Sequence, residues 1–232
     1  AGEGKRFLFR SAASLLTALA KLPAQPVSAE DMAVYVRERK PGVILIGSHV
    51  AKTSAQLAYL RKHTDVVPVC VDVEQLNVSN TLDWSEHAAR FADTIIAQID
   101  TAHARGKTVA IDTSREEWQF PSQRERRAFG ERLSAFLKGL VRRLPVTIGF
   151  LISKGGITSN DVLSSGLAVK QSRVLGQILT GCSVICCPSD HERYPQLPVV
   201  IFPGNVGGEA ALAEVHGILT APRESQAIHR TA

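Results

Sequence analysis

Three short glycine-rich segments hold the residues of this sequence that are best suited to bind an anion. Each segment directly follows an apolar run of the kind that forms a buried strand. Glycine lets backbone N–H groups approach a phosphate closely, and neighbouring hydroxyl and amide side chains add further donors. The segments are residues 47–48, 155–156 and 204–208, and the side-chain donors are Ser48, Thr158, Ser159 and Asn205.

The second segment has the most informative surroundings. Residues 151–166 read as a strand, a glycine turn at Gly155 and Gly156, and the start of a helix. The first N–H groups of a helix have no internal partner and lie at the positive end of its dipole, which suits an anion. We expect Thr158 and Ser159 to cap this helix or to donate to a phosphate. Lys154 could add a point charge, although a solvent-facing lysine explains its position equally well.

Strand-like and helical segments alternate along the chain. This alternation predicts a three-layer α/β fold, with a mostly parallel or mixed sheet and helices on both faces. Ligands of such sheets bind beyond the carboxyl ends of the strands, so we expect the three glycine segments to form one pocket. We see no repeat or linker and treat residues 1–232 as one domain. The predicted strands are 43–46, 66–73, 108–111, 146–152 and a hairpin of 183–187 with 199–202.

Helical patterns fill the intervals between these strands. Asp83 is predicted to begin one long helix, and a second follows Pro121. Pro68, inside the second predicted strand, indicates a sheet edge or a bulge. The remaining helices are predicted over 5–22, 28–39, 53–62 and 209–219, before a polar tail.

Composition excludes several classes of function. A net charge of +5 and 6% aromatic residues do not favour a nucleic-acid groove, and no run is long enough to cross a membrane. Three of the four cysteines lie in or beside apolar runs, as buried thiols do, so we expect a reduced, cytoplasmic setting.

Other candidate sites fit the sequence less well. Gly106-Lys107-Thr108 resembles the end of a phosphate loop, but a strand follows where a helix should. Ser48 and His49 are adjacent, so their side chains diverge and do not pair for catalysis. We predict no metal site formed by the protein alone, because the spacing of the cysteines and His191 is not that of zinc ligands. His191, His216 and His229 are interpreted as surface or loop residues.

Four segments, in this order, resemble a known family: RFLFRSAASLL, GSHVAKTSAQL, ISKGGITSNDVL and FPGNVGG. They are similar to the C-terminal nucleotide-binding domain of the four-carbon acid sugar kinases, formerly DUF1537, over residues 6–219. The resemblance implies a kinase that uses ATP to phosphorylate threonate-, erythronate- or 3-oxo-tetronate-like acids. Donors without a fixed cation cluster also suit a nucleotide whose charge is partly neutralised by Mg²⁺. The implied nucleotide contacts are Ser48, Gly155, Gly156, Ile157, Thr158, Gly204, Asn205, Val206 and Gly207.

The sequence departs from the family pattern at several positions. Ile157 stands where an acidic residue is frequent, Val206 replaces a phenylalanine, and Pro203 replaces a frequent lysine. Gly181-Cys182-Ser183 stands where the family pattern usually has Gly-Val-Pro. These changes keep the backbone donors but remove charge, and we assign no catalytic residue.

The resemblance also implies a partner domain. In the family an N-terminal domain holds the acid sugar, and we expect that domain to lie outside these 232 residues, leaving the chain alone inactive. A homodimer is left open. The alternatives are a non-catalytic, regulatory module that binds a nucleotide or another phosphoanion, and a structural domain in which the glycines only form turns.

Overall fold

The computed structural model describes residues 4, 8–11, 13–21, 24–76, 84–115 and 119–222. Their order along the chain confirms the alternation of strands and helices. The helices are α1 (Ala13–Ala20), α2 (Ala51–His63), α3 (Trp84–Ala104), α4 (Gln123–Arg143), α5 (Gly156–Asp161) and α6 (Ala211–Thr220). The strands are β1 (Val43–Ile46), β2 (Val67–Val71), β3 (Val109–Thr113), β4 (Leu151–Lys154), β5 (Arg173–Leu179), β6 (Cys182–Cys186) and β7 (Pro198–Phe202).

The strands form one seven-stranded sheet in the order β2-β3-β1-β4-β7-β6-β5. The pairs from β2 to β7 are parallel, whereas β6 pairs antiparallel with both β7 and β5. Strands β1, β3 and β4 are buried at every residue, which explains why they read as continuous apolar runs. The mostly parallel, mixed sheet is therefore confirmed.

Helices cover both faces of the sheet. One core cluster joins the apolar sides of α3 and α4, including Phe91, Ile95 and Leu140, to one face. The other cluster joins α2 and α6, through Leu57 and Leu212 among others, to the opposite face. This arrangement is the predicted three-layer α/β architecture.

Several local predictions are also confirmed. The hairpin of β6 with β7 is antiparallel, and Pro68 lies in β2, at the edge of the sheet. Ser122 begins α4 by accepting the N–H of Glu125. Asp83, His229 and the tail after residue 222 lie outside the described residues.

The fourth strand and the first helix differ from the prediction. Residues 146–150 are not strand, because Pro145 begins a turn in which the Ile148 N–H donates to the Pro145 carbonyl at 3.2 Å. The strand instead starts at Leu151 and continues to Lys154. Residues 8–11 are not helical, so the first helix is shorter than 5–22.

His216 is wrongly predicted as a surface residue. It lies on the side of α6 that faces the sheet, beside Val215 and Leu219, and is only 5% exposed. All four cysteines are free thiols, and within the described ranges no helix is long and apolar enough to cross a membrane.

Candidate phosphate-binding site

Three parallel strands end in one row at the carboxyl edge of the sheet. The register aligns Ile46 at the end of β1 with Lys154 in β4, and Lys154 with Phe202 in β7. The ladder continues one residue further, since the Gly47 N–H donates to the Lys154 carbonyl at 3.2 Å and the Gly155 N–H to the Phe202 carbonyl at 2.8 Å. The three glycine segments therefore leave the sheet side by side.

The three segments touch one another. A Cβ added at Gly204 would lie 3.0 Å from the Ser48 Oγ, and one added at Gly155 would lie 3.3 Å from the Ser48 Cβ. A Cβ at Gly47 would overlap the Thr158 hydroxyl. We call residues 47–48, 155–158 and 204–207 the glycine cradle. Its formation confirms that the segments converge on one site.

The turn into α5 requires a glycine and leaves backbone donors unpaired within the helix. Gly155 has a φ of 122°, which residues with a side chain rarely adopt. The Ser159 N–H donates to the Gly155 carbonyl at 2.8 Å, so the N–H groups of 156–158 precede the first intrahelical bond. α5 continues as a π-helical turn through Gly166.

Thr158 and Ser159 do not cap α5 as predicted. Gly155 occupies the capping position and no side chain caps the helix. Ser159 is buried and its Oγ donates to the Ser153 carbonyl at 2.9 Å, so it ties α5 to β4. The Thr158 Oγ1 instead lies between Gly47 and Gly155, where it fills the gap that their missing side chains leave.

Lys154 is fully buried, so the solvent-facing interpretation is wrong. Its Nζ donates to the carbonyls of Pro203 at 2.7 Å and Gly204 at 3.3 Å, and it lies 4.0 Å from the centre of the Phe202 ring. Burial lowers the pKa of Lys154 to about 8. The ammonium group thus fixes the carbonyls of Pro203 and Gly204.

Helix α2 fastens the third glycine segment from the side. Gln56 is buried, and its Nε2 donates to the carbonyls of Val206 at 2.9 Å and Gly208 at 2.8 Å. Lys52 donates to the Asn205 carbonyl at 3.2 Å. The Thr53 hydroxyl lies between the Ser48 Oγ at 3.1 Å and the Gly204 carbonyl at 3.2 Å. These bonds hold four carbonyls of the segment in place and do not involve its N–H groups.

A charged network adjoins the cradle where β3 ends. Asp112 is buried and contacts Arg61 at 2.5 Å and Arg115 at 3.9 Å. Burial raises the pKa of Asp112, and the two guanidinium groups oppose this rise. Arg115 also donates to the Ser48 carbonyl at 2.5 Å. The expectation of a site without a cation cluster is thus wrong, because Lys52, Lys154 and Arg115 each bond to a carbonyl of the cradle. Lys154 ends β4, Arg115 follows β3 and Lys52 lies in the first turn of α2, so the fold brings together cations that no sequence motif marked.

The remaining predicted residues lie at the surface of the cradle. Ile157 is 82% exposed, and Asn205 is exposed. Val206 packs against Gly181, since a Cβ there would lie 3.3 Å from its methyl group. Gly156 and Gly208 border open space, and Gly207 has a φ of 78°.

An apolar cleft of about 180 Å³ opens beside the cradle, between α4 and α5. Leu133, Leu137 and Val162 form its apolar walls, and Gly47 and Thr158 border it on the cradle side. The Ser134 Oγ donates to the Asp161 carboxylate at 2.5 Å within this cleft. An apolar slot beside a row of backbone donors suits a ligand with one flat, apolar part and one anionic part.

No cluster of three or more His, Cys, Asp or Glu that could hold a metal occurs in the described part of the chain. Asp161 is the carboxylate that α5 itself carries.

The chain belongs to the family of the nucleotide-binding C-terminal domain, whose model matches residues 43–212. This range contains all three segments of the cradle. The match confirms the resemblance to the C-terminal domain of the four-carbon acid sugar kinase family. No protein of curated function matches the chain.

Solved structures share the fold. A DUF1537 protein from Bordetella bronchiseptica, a domain-swapped dimer with bound citrate, is 15% identical with a TM-score of 0.60, over 78% of this chain and 41% of its own. A Salmonella typhimurium LT2 protein provisionally named a tRNA synthase is 20% identical with a TM-score of 0.57, over 86% of this chain and 43% of its own. A Haemophilus influenzae protein of the DUF1537 family is 17% identical with a TM-score of 0.54, over 78% and 40%. The chain thus spans about two fifths of each.

Proposed function

We propose that the glycine cradle binds the phosphates of ATP, together with Mg²⁺. The convergence of the three glycine segments at the carboxyl edge carries this proposal, and membership of a nucleotide-binding family supports it. The contacts would come from Ser48, Gly155, Gly156, Ile157, Thr158, Gly204, Asn205, Val206 and Gly207. When bound, Mg²⁺ would neutralise part of the phosphate charge.

The adjacent cleft would receive the base of the nucleotide. Its apolar walls match the faces of a purine, and exposed Ile157 stands at its mouth. The Asp161 carboxylate, oriented by Ser134, could accept from an amino group of the base. This orientation would point the phosphate chain across α5 toward Ser48 and Gly204.

The buried cations would act by positioning. Lys154 holds the carbonyls of Pro203 and Gly204, and Gln56 holds those of Val206 and Gly208, so the N–H groups of this segment need not reorient when a phosphate arrives. Preorganised donors of this kind are the main source of catalysis in phosphoryl transfer, where the protein does little covalent chemistry. Arg115, bonded to the Ser48 carbonyl, would add positive charge beside the terminal phosphate.

We further propose that the chain is the nucleotide-binding half of a kinase for four-carbon acid sugars. The acid sugar would be held by an N-terminal domain, which fits the two-fifths share of the similar solved structures that this chain spans. The acceptor hydroxyl and its base would then come from that domain. A homodimer belongs to the same proposal, and light scattering in solution would test it.

Calorimetry with Mg-ATP tests the binding proposal with two matched variants. Gly156 is the first residue of α5 and borders open space, as does Gly139 in α4. Both positions have room for a Cβ, and alanine is favoured over glycine by about 1 kcal/mol inside a helix such as α4, so Gly156→Ala and Gly139→Ala should both fold. Only Gly156→Ala places a methyl group where a phosphate would approach. We expect it to weaken Mg-ATP binding by about tenfold, which corresponds to about 1.4 kcal/mol.

Equal affinity in the two variants would contradict the proposed phosphate position. Absence of any binding by the folded wild-type chain at millimolar Mg-ATP would contradict nucleotide binding altogether. The regulatory alternative is favoured by Ile157 and Pro203, which carry no charge at the cradle. Reconstitution with an acid-sugar domain distinguishes the kinase from the regulatory module, because a regulatory module would bind ATP without consuming it.

A further inference from the structure

The peptide bond that joins Ser48 to His49 carries a backbone donor that none of the contacts assigned above includes. All peptide bonds between described residues are trans, so the Ser48 carbonyl and the His49 N–H point in opposite directions. The Nη1 of Arg115 donates to this carbonyl at 2.5 Å. The His49 N–H therefore points away from Arg115. It has no hydrogen-bond partner among the described residues, and His49 is exposed.

Arg115 makes its single hydrogen bond in the described part of the chain with this carbonyl. Its Nε and Nη2 are buried and form no hydrogen bond there. Buried polar atoms are almost always paired, so the fold forgoes two hydrogen bonds while it keeps the guanidinium group at Ser48. Because Nε and Nη2 have essentially no exposed surface, they cannot reach a ligand. Arg115 would thus influence a phosphate through the Ser48 carbonyl and through its charge.

Asp112 holds Arg115 from the other side. The residue is only 2% exposed, and its two carboxylate oxygens lie 2.5 Å from the Nη2 of Arg61 and 3.9 Å from the Nε of Arg115. A buried carboxylate between two guanidinium groups compensates their charge, and its removal leaves both uncompensated. Asp112 lies in β3 and Arg61 in α2, so two regular elements fix where Arg115 can lie.

We propose that the His49 N–H is a further phosphate donor of the glycine cradle, and that Asp112 and Arg115 are positioning residues that aim it. The proposal rests on nucleotide binding at the cradle, and it adds a donor from the loop after β1. Arg115 fixes the peptide plane before a ligand arrives, so the N–H need not reorient on binding. Preorganised donors of this kind bind anionic groups more strongly than mobile ones.

Two variants distinguish positioning from charge. Asp112→Asn removes a negative charge near the cradle, so charge alone would tighten Mg-ATP binding, whereas loss of positioning would weaken it. Arg115→Lys keeps the positive charge but loses the planar fork that lies between Asp112 and the Ser48 carbonyl. Calorimetry on the full chain should show Mg-ATP binding weakened about fivefold to tenfold in both variants, the scale of one hydrogen bond.

Backbone amide NMR supplies a readout that general destabilisation does not move in the same way. In the wild type, the His49 amide signal should move with Mg-ATP and saturate together with those of residues 155–158. In Asp112→Asn and Arg115→Lys the shift at His49 should shrink, while the shifts at 155–158 persist at saturation.

Two control variants alter similar groups at the opposite, amino edge of the sheet. Asp65→Asn removes a carboxylate that pairs with Lys107 at 2.6 Å. Arg193→Lys changes an arginine that also donates to a backbone carbonyl, that of Leu144, at 2.9 Å. Both should leave the Mg-ATP affinity and the His49 shift unchanged.

Three results would overturn the proposal while nucleotide binding at the cradle stands. They are unchanged or tighter binding in Asp112→Asn, unchanged binding in Arg115→Lys, and a His49 signal that stays in place while those of 155–158 move. If Asp112→Asn does not fold, Arg115→Lys and the wild-type titration decide the matter. A folded wild-type chain that binds no Mg-ATP would instead contradict the proposed function, and this proposal with it.

Discussion

The two edges of this sheet offer ligands different chemistry. At the carboxyl edge, glycines expose backbone N–H groups, and the cations around them are tied to carbonyls. At the amino edge, a cavity is lined by side chains, among them Arg39, Lys40 and His216. A backbone site fixes the position of a phosphate, whereas a side-chain site selects functional groups. Substitutions should therefore act through backbone geometry at one edge and through charge at the other.

The largest effect should come from the backbone of the cradle. Gly155→Ala forces a side chain onto a φ of 122° and brings its Cβ to 3.1 Å from the Thr158 hydroxyl. We expect unfolding to become easier by about 1–3 kcal/mol and Mg-ATP affinity to fall about 100-fold, measured by denaturant titration and calorimetry.

Gly106→Ala is the matched control for this prediction. Gly106 lies at the amino edge with a φ of 72°, and nothing lies within 4 Å of an added Cβ. The Gly106→Ala substitution should lower the free energy of unfolding by about 1 kcal/mol or more without changing Mg-ATP affinity. If both variants lose affinity equally, the loss reflects general destabilisation, and the two edges do not differ in this respect.

Lys154→Met should have the next largest effect. It keeps most of the buried volume but removes the donor to the Pro203 and Gly204 carbonyls. Unpaired buried acceptors cost about 1–3 kcal/mol, so we expect lower stability and Mg-ATP binding weakened by about 10- to 30-fold. Lys107→Met, which removes an exposed ion pair at the amino edge, should cost at most about 1 kcal/mol and leave nucleotide affinity intact. Wild-type affinity in the Lys154→Met variant would show that this lysine does not support the cradle.

The pH dependence of nucleotide binding should reveal the same lysine. Its pKa of about 8 lies below the usual 10.5, so the ammonium form dominates below pH 8 and the neutral amine above it. A phosphate favours the charged form, so affinity for Mg-ATP should be highest below pH 8 and fall by about tenfold or less between about pH 7 and pH 9. Calorimetry across this range should show a flat profile in Lys154→Met. An identical fall in both proteins would assign the effect to another group.

The same shift predicts an opposite trend for the stability of the ligand-free chain. Between pH 8 and pH 10.5 the unfolded chain holds a proton at Lys154 that the folded chain has released. Stability therefore rises with pH in this window through this residue. The difference in unfolding free energy between wild type and Lys154→Met, followed across the window, isolates that contribution from other titrating groups. A difference that is constant with pH would contradict it.

The smallest effect should come from an exposed cation. Lys52→Gln removes the bond from Nζ to the Asn205 carbonyl at 3.2 Å, in a solvated position. We expect Mg-ATP affinity to fall only about threefold, because exposed charges are screened by water and salt. Lys62→Gln, in the same helix and also exposed, should leave affinity unchanged. A larger loss in Lys52→Gln than in Lys154→Met would reverse the expected order of the two lysines.

The sequence allowed the architecture and the cradle to be predicted because both depend on local patterns. Apolar runs followed by glycines mark the ends of β1, β4 and β7, and the rule that ligands bind beyond parallel strands supplied their convergence. The order of the strands in the sheet has no such local signal. Strand β4 pairs with β1 and β7, which lie far from it along the chain, and only packing in three dimensions selects these partners.

Side-chain burial at the site was harder to predict. Lys154 follows an apolar run in the same way that an exposed strand-end lysine does, and only the carbonyls of a distant segment explain its burial. Thr158 and Ser159 have the residue types of helix caps, yet contacts with Gly47 and with the Ser153 carbonyl recruit them instead. The burial of His216 likewise depends on which side of α6 packs on the sheet.

Backbone amide NMR during a titration with Mg-ATP tests most directly whether the glycine cradle is the nucleotide site. We expect the signals of residues 155–158 and 204–207 to move together and saturate, while those of Arg39, Lys40 and Gly106 at the amino edge stay in place. Saturating shifts at the amino edge with no change in the glycine segments, or no shifts in either region, would contradict nucleotide binding at the cradle.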